Sequence, residues 1–199
     1  MERLARQVQE TQKQLSFPET DWKYHSSAID ELATAVEALG PSTSRKDAAR
    51  LLLSLSGKIS ALLVSHRSKL VKDTCEGLLR IVQEIGRDFQ DMANALLPQI
   101  VCTAKNSSAA IRQPGSKLLC KMSEVVRYDL SLLKKIYMPL MHVCSCWSNW
   151  GIMFVYWTDS EVLPFESDVL AIIQRGLEDQ NEKVRKTARE VLARFSSRW

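Results

Sequence analysis

Side chains that could support catalysis or bind a metal ion are few in this sequence. The three histidines are His25, His66 and His142, and no Gly-x-Ser-x-Gly motif or phosphate-binding glycine loop accompanies them. His142, Cys144 and Cys146 carry suitable ligand atoms, but three ligands this close along one helix cannot all converge on one tetrahedral ion. No second cluster of Cys or His completes such a site. We therefore predict that the chain is not an enzyme and that it has no cofactor and no metal.

Positive charge is the second feature that could support a function. Basic residues recur at short polar turns between apolar segments. The pattern is clearest at residues 179–186, which lead into an apolar segment at 187–195. Looser copies lie at residues 65–72 and 105–112. Basic residues at a helix start are slightly unfavourable against the helix dipole. Their repetition at several turns indicates that something other than helix stability benefits from them.

The overall composition limits the kind of partner that these turns could bind. The chain has 199 residues, of which 45% are hydrophobic and 25% charged, as expected for one soluble domain with a substantial core. A net charge of +4 is too small for general nucleic-acid binding, and no aromatic residues are interleaved with the cations of 183–186. We therefore predict no nucleic-acid partner, but a cationic edge that faces an acidic protein.

The first residues and the cysteines indicate the cellular compartment. The N-terminal sequence MERLARQ lacks the apolar run of a signal peptide, and the five cysteines are an odd number. Together these features favour reduced thiols in a cytosolic protein. No heptad repeat dictates dimerisation, so the oligomeric state is left open.

Apolar residues recur at intervals of three and four, which is the spacing of a buried helix face. Ile29, Leu32, Val36 and Leu39 form one such face, and the Gly-Pro sequence at 40–41 ends it. We predict an all-α protein with helices at about 3–15, 22–39, 45–64, 68–85, 89–104, 109–126, 167–178 and 181–197. Helix pairs that repeat about every 40 residues are typical of an α-solenoid of HEAT type. We expect about five antiparallel pairs in a single domain that spans residues 1–199.

One segment differs from the rest, because residues 136–158 contain no Asp, Glu, Lys or Arg. Its length suits a membrane span of roughly 20 residues, and Lys134 and Lys135 would suit a cytosolic flank. Pro139 and several polar residues dilute its hydrophobicity. We therefore favour an irregular fourth helix pair, broken near residues 148–151, over the membrane-attached alternative.

Trp22 is the most informative single residue, because a large indole follows Thr20 and Asp21 at a turn. It could pack inside the first helix pair or project from the surface, where Trp is a favoured hot-spot residue of interfaces. In isolation, the packing interpretation is the stronger of the two.

The order of the turns resembles that of a TOG domain of the CLASP (cytoplasmic linker-associated protein) family, over most of residues 16–198. The sequence Asp-Trp-Lys at 21–23 is similar to the first tubulin-contacting turn of these domains, and residues 65–75 are similar to the second. Further matches are Leu-Leu-Pro at 96–98 ahead of Lys-Asn-Ser-Ser at 105–108, and the late repeat that begins with Gly-Leu-Glu-Asp at 176–179. One repeat fewer than is usual in TOG domains fits this sequence.

The resemblance implies a flat solenoid whose turn-bearing edge binds αβ-tubulin or microtubules in the cytoplasm and regulates microtubule dynamics by binding alone. The Trp22 turn would face β-tubulin and the later basic turns α-tubulin. By position, the implied contact residues are Trp22, Lys23, Arg67, Ser68, Lys69, Lys105, Asn106, Lys183 and Arg185. The uncharged 136–158 segment replaces the fourth basic turn, and Asn149 is the one polar residue that aligns there.

The alternative function is a HEAT scaffold that binds another protein through its concave helix surface. The two functions predict different surroundings for Trp22. The tubulin hypothesis requires Trp22, Arg67, Lys105 and Lys183 on one edge with Trp22 exposed. The scaffold hypothesis prefers a buried Trp22 and an apolar patch elsewhere.

Overall fold

The structure, a computed structural model, describes residues 1–18, 21–132 and 144–198, and in the last range it describes side chains from residue 149 onward. Every regular element in these ranges is a helix, which confirms the predicted all-α class. The helices are α1 (Glu2–Gln14), α2 (Trp22–Glu37), α3 (Arg45–Leu53), α4 (Ser56–Leu63), α5 (Ser68–Ile85), α6 (Gln90–Ala104), α7 (Ala109–Val125), α8 (Cys144–Tyr156), α9 (Asp159–Val162), α10 (Glu166–Leu177) and α11 (Glu182–Arg198). Short 3-10 turns at Gly86–Phe89 and Leu163–Phe165 precede α6 and α10.

The helices form two layers, because antiparallel pairs follow one another along the chain. One layer contains α2, α5, α7, α8 and α11, which contact each other in this order; α2, α5, α7 and α11 are the second helices of their pairs. The first helices pack against it, α1 on α2, α4 on α5, α6 on α7 and α10 on α11. Each helix thereby buries its apolar stripe against its own partner and the neighbouring pairs. The predicted α-solenoid is confirmed.

The segment 45–64, which we predicted as one helix, is two helices that are separated at Ser54 and Leu55. The Ser54 hydroxyl donates to the Leu51 carbonyl at 2.7 Å, and the Leu55 amide donates to the Leu52 carbonyl at 2.9 Å. Hydrogen bonds over three residues tighten the chain and end the α-helical pattern. The bend buries Leu55. Spacing alone could not reveal it, because the apolar periodicity continues through the break.

The predicted break near residues 148–151 is wrong, because α8 runs without interruption through these residues to Tyr156. The helix packs against α7 and α11, and its Trp150 and Phe154 side chains are buried. The Phe154 ring lies 5.3 Å from the Phe195 ring of α11, measured between centroids. Burial of its aromatic face therefore explains the low charge of this part of the segment.

Part of the uncharged segment lies outside the described residues. This holds for residues 136–143, including His142, and for the side chains of Cys144 and Cys146. Within the described ranges, no helix is both long enough and apolar enough to cross a membrane. In the same ranges, no group of three His, Cys, Asp or Glu residues could hold a metal ion.

Asn149 is a core residue of the contact between α7 and α8. Its side-chain nitrogen donates to the Tyr128 hydroxyl at 2.9 Å, and its side-chain oxygen accepts a hydrogen bond from the Ser123 hydroxyl. The indole nitrogen of Trp157 donates to the Ser123 carbonyl at 2.7 Å. Burial raises the pKa of Tyr128 to about 12, so its phenol stays neutral in this network. The alignment of Asn149 with a fourth surface turn is therefore wrong.

Candidate functional site

The fold brings the basic turns to one edge of the solenoid. The helices α2, α5, α7 and α11 belong to one layer, and each follows a loop that joins it to the first helix of its pair. We call the described parts of these loops, at residues 15–18, 64–67, 105–108 and 178–181, together with the first turn of each following helix, the turn edge. The Thr103 hydroxyl donates to the Leu63 carbonyl at 2.9 Å and thereby joins the ends of α6 and α4 at this edge.

Cations occupy the same helical position along the turn edge. The second residue is Lys23 in α2, Lys69 in α5 and Lys183 in α11, and all three side chains are exposed. In α7 the second residue is Ala110. Arg67, which precedes α5, is also exposed. Five of the predicted contact residues, Lys23, Arg67, Ser68, Lys69 and Lys183, are therefore exposed on one edge.

These cations differ in how strongly neighbouring carboxylates hold them. Lys69 Nζ lies 2.7 Å from Asp73 Oδ1, and this hydrogen bond raises the pKa of Lys69, so the amine stays charged. Among the described residues, Lys23, Arg67 and Lys183 form no such ion pair. Their charges are therefore the more accessible ones for a partner.

Arg185 holds the loop before α11 in place. Its guanidinium Nη1 donates to the Asp179 carbonyl at 2.7 Å and to the Gln180 carbonyl at 2.9 Å. The Asp179 carboxylate in turn accepts a hydrogen bond from the backbone amide of Asn181 at 2.7 Å. Arg185 is half-buried, and its hydrogen bonds shape the loop. A direct contact of Arg185 with a partner stays a prediction.

The loop before α7 repeats this arrangement. Arg112 Nη1 donates to the Asn106 carbonyl at 3.0 Å and to the Ser107 carbonyl at 2.8 Å. The side-chain oxygen of Asn106 accepts a hydrogen bond from the backbone amide of Ser108 at 2.9 Å. The half-buried Asn106 thus also shapes its loop, and Lys105 beside it is half-buried as well. Arg112 is not among the predicted contact residues, although its spacing of six from Asn106 equals that of Arg185 from Asp179.

Trp22 lies on the turn edge, but its indole is not the exposed side chain that the tubulin hypothesis requires. It is half-buried and packs against the hydrophobic core. The exposed aromatic residues of the first turn are Phe17 and Tyr24, at 45% and 62% of their full accessibility. Their rings contact edge to face, with centroids 6.5 Å apart. Tyr24 is in register with the buried Ala28 and Leu32, so its spacing predicts burial and not exposure.

The first turn is held by hydrogen bonds on both sides of this aromatic pair. The ring nitrogen Nε2 of the buried His25 lies 3.2 Å from the Phe17 carbonyl oxygen. Lys58 Nζ in α4 donates to the Ser16 hydroxyl at 2.7 Å. A cleft of about 340 Å³ between this turn and α4 reaches Ser65 in the next turn. The first two turns therefore form one continuous surface with aromatic and cationic side chains.

Comparison with known proteins supports the predicted family resemblance. No family model matches the chain. A CLIP-associated protein of Arabidopsis thaliana is 22% identical over 196 residues, which are 92% of this chain and 13% of that protein. The chain thus spans about an eighth of the length of the curated relative that it matches.

Two solved structures have a similar fold. The CEP104 TOG domain has a TM-score of 0.55 at 16% identity, over 86% of this chain and 73% of that chain. A computationally designed armadillo repeat protein for modular peptide recognition has a TM-score of 0.53 at 14% identity, over 98% and 82%. The predicted resemblance to a TOG domain of the CLASP type is confirmed by these similarities.

Proposed function

We propose that this chain, which resembles a TOG domain of the CLASP type, is a tubulin- or microtubule-binding module that acts by binding alone. The observation that carries the proposal is the row of exposed cations on the turn edge, led by Lys23, Arg67 and Lys183. In the resembling family, this edge is the one that binds αβ-tubulin. The proposal places the chain in the cytoplasm, on the microtubule cytoskeleton.

The cations suit a strongly acidic partner such as tubulin. Exposed charges attract a partner over distances up to roughly 10 Å at 0.1 M salt, and they accelerate association more than they slow dissociation. Because Lys23, Arg67 and Lys183 lie on separate turns, the attraction is spread along the edge. We therefore expect binding that is fast and weakens steeply as salt concentration rises.

Apolar contact at the first turn supplies the second part of the binding surface. Phe17 and Tyr24 stand out of the turn, and the neighbouring turn adds Val64, which is 54% exposed. Aromatic residues beside cations are frequent anchors of protein interfaces, since they bury a large area at little entropic cost. We propose that Trp22 supports this anchor by packing beneath it and that Phe17 and Tyr24 contact the partner.

Binding to purified αβ-tubulin at low and physiological salt tests the proposal. The triple variant Lys23→Ala, Arg67→Ala, Lys183→Ala removes the accessible cations, and we expect it to bind about tenfold more weakly or worse at low salt. The matched control Arg3→Ala, Lys46→Ala, Arg87→Ala removes three exposed cations elsewhere on the surface. It should bind as the unchanged chain does.

Substitution of the aromatic pair, Phe17 and Tyr24, tests the apolar part of the proposed surface separately from its charges. The variant Phe17→Ala, Tyr24→Ala should dissociate faster while the salt dependence of binding stays unchanged, because no charge is removed. If the triple variant and its control lost equal affinity for tubulin, non-specific charge attraction alone would explain the binding. A folded chain that binds neither free tubulin nor microtubules at low salt would overturn the proposed function.

A further inference from the structure

A groove that the tubulin hypothesis does not use lies between α5 and α7, in two helices that each carry a closely packed glycine. A Cβ at Gly77 of α5 would overlap the Ile29 side chain of α2, so the glycine draws α5 toward α2. A Cβ at Gly115 of α7 would lie 2.7 Å from the Ala104 amide nitrogen, so α7 is drawn toward α6. The helices α5 and α7 also contact each other. The groove along this contact, the α5–α7 groove, has a volume of about 390 Å³.

The inner surface of the groove is apolar. It includes Cys75, Leu79 and Pro114. Cys75 is 1% exposed, and burial raises the pKa of its thiol to about 12, so this surface carries no charge near neutral pH. A hydrophobic trough of this size accommodates one bulky apolar side chain of a ligand.

Lysines stand on both walls of the groove. Lys72 belongs to α5 and Lys117 to α7, and both are exposed. The acidic residue of the lining is Glu76, whose carboxylate lies 3.8 Å from Lys72 Nζ. Among the described residues, Lys117 has no ion-pair partner. The lining thus carries one net positive charge, because Glu76 balances Lys72 on the α5 wall while Lys117 stands unbalanced on the α7 wall.

The groove also includes a backbone carbonyl that lacks the usual helical donor four residues on. In a regular helix the amide of residue 114 would donate to the carbonyl of Ala110, but Pro114 has no N–H. Both residues line the groove. The Ala110 carbonyl can therefore accept a hydrogen bond from a ligand N–H. Because Ala110 is the second residue of α7, this end of the groove opens on the turn edge.

We propose that the α5–α7 groove binds an acidic linear peptide of a protein partner, which inserts one bulky apolar side chain between carboxylates that face Lys72 and Lys117. The apolar trough takes the central side chain, and the Ala110 carbonyl accepts one peptide N–H. The lining does not include the turn-edge cations Lys23 and Arg67, although its Ala110 end lies on the turn edge.

Fluorescence anisotropy on the full chain tests the groove. The probes are fluorescein-labelled heptapeptides with three glutamates on each side of a central Leu, Ile, Met, Phe or Trp. We expect saturable binding of at least one probe. A matched peptide with central Ser and one with Gln in place of every Glu should each bind about tenfold more weakly or worse.

Three variants distinguish the groove from general charge attraction. Lys72→Glu, Lys117→Glu should abolish binding, whereas Arg3→Glu, Lys46→Glu, which changes the net charge equally, should leave it intact. The turn-edge variant Lys23→Ala, Arg67→Ala should also bind the probe normally, so the groove and the proposed tubulin surface can fail independently. Thermal unfolding shows whether each variant is folded.

Amide chemical shifts of the unchanged chain locate the peptide without any substitution. We expect the largest shifts at Glu76, Leu79, Ala110 and Gln113, around the groove. Failure of the folded chain to bind any of the five probes would overturn the proposal. Shifts confined to the turn loops, or equal loss of affinity in both charge-reversed pairs, would overturn it as well.

Discussion

The loops of the turn edge are of two kinds, and they differ at one position of the following helix. The fourth helical residue is Arg112 in α7 and Arg185 in α11, and each clamps two loop carbonyls. In α5 this residue is the buried Val71, and in α2 it is His25, which contacts a single carbonyl. We call the loops at 105–108 and 178–181 the clamped turns and the described loop residues 15–18 and 64–67 the unclamped turns.

The difference separates residues that shape a loop from residues that can bind a partner. In the clamped turns, the guanidinium groups and the side chains of Asn106 and Asp179 are used within the loop. In contrast, Phe17, Tyr24 and Arg67 at the unclamped turns are exposed, as is Lys183 beside the clamp of Arg185. Basic residues at similar places in the sequence therefore have two different physical roles. Some hold a loop in shape, and others are exposed to a partner. Substitutions of the clamping arginines should mainly reduce stability, and those of exposed side chains such as Arg67 and Lys183 should mainly reduce binding.

The largest effect is expected at Gly115, in the helix that follows a clamped turn. In Gly115→Val, the new Cβ would meet the backbone of Thr103 and Ala104 at 2.7–2.8 Å, and this backbone cannot move without displacing the end of α6. Overpacking against backbone should lower the free energy of unfolding by about 3 kcal/mol, measured by chemical denaturation.

Gly57→Ala, in α4 ahead of an unclamped turn, is the matched control for Gly115. Its added Cβ would have no atom within 4 Å, so the better helix propensity of Ala should stabilise the chain by about 0.5–1 kcal/mol. If Gly115→Val were as stable as the unchanged chain, α7 would not be held against α6 by close backbone contact.

A smaller effect on stability is expected from removal of a clamp. Arg112→Ala leaves the carbonyls of Asn106 and Ser107 without their shared donor, and should cost about 1–2 kcal/mol in the free energy of unfolding because the arginine is partly exposed. Arg67→Ala, on an unclamped turn, should change that free energy by less than about 0.5 kcal/mol.

Binding to αβ-tubulin completes this comparison. At low salt, Arg67→Ala should weaken binding more than Arg112→Ala does, which is the reverse of their order in stability. The same order in both measurements would contradict the division into clamped and unclamped turns. It would indicate that loop shape, and not accessible charge, controls binding.

The helices and their order could be predicted from the sequence, because apolar periodicity and turn residues are local signals. Two local predictions failed where tertiary packing decided the outcome. The helix at 45–64 bends at Ser54 so that Leu55 reaches the core. The polar residues before Gly151 do not break α8, because Asn149 finds its partners in Ser123 and Tyr128.

The candidate site was predictable in its position but not in its individual side chains. Residue type and spacing place Lys23, Lys69 and Lys183 at helix starts, and the structure has all three exposed there. Exposure of Tyr24 and partial burial of Trp22 depend on how α2 lies against the core, which spacing does not report. The clamps carry a readable signal, an Asn or Asp six residues before an Arg, but their role appears only once the hydrogen bonds are known.

The smallest effect is expected at Asp73. Its substitution tests whether a change near the unclamped second turn can raise the affinity for tubulin as well as lower it. Asp73 Oδ1 holds Lys69 at 2.7 Å, and its other oxygen accepts the Ser26 hydroxyl. In Asp73→Asn the hydrogen bond to Ser26 can persist, while Lys69 loses its anionic partner and becomes available to tubulin. We expect binding at low salt to strengthen about twofold, the size of one exposed ion pair.

Glu37→Gln, which removes an acidic partner of Arg80 away from the turn edge, is the control and should leave tubulin binding unchanged. Weaker binding by Asp73→Asn would show that Asp73 orients Lys69 for the partner, so that even an unclamped turn depends on its internal contacts.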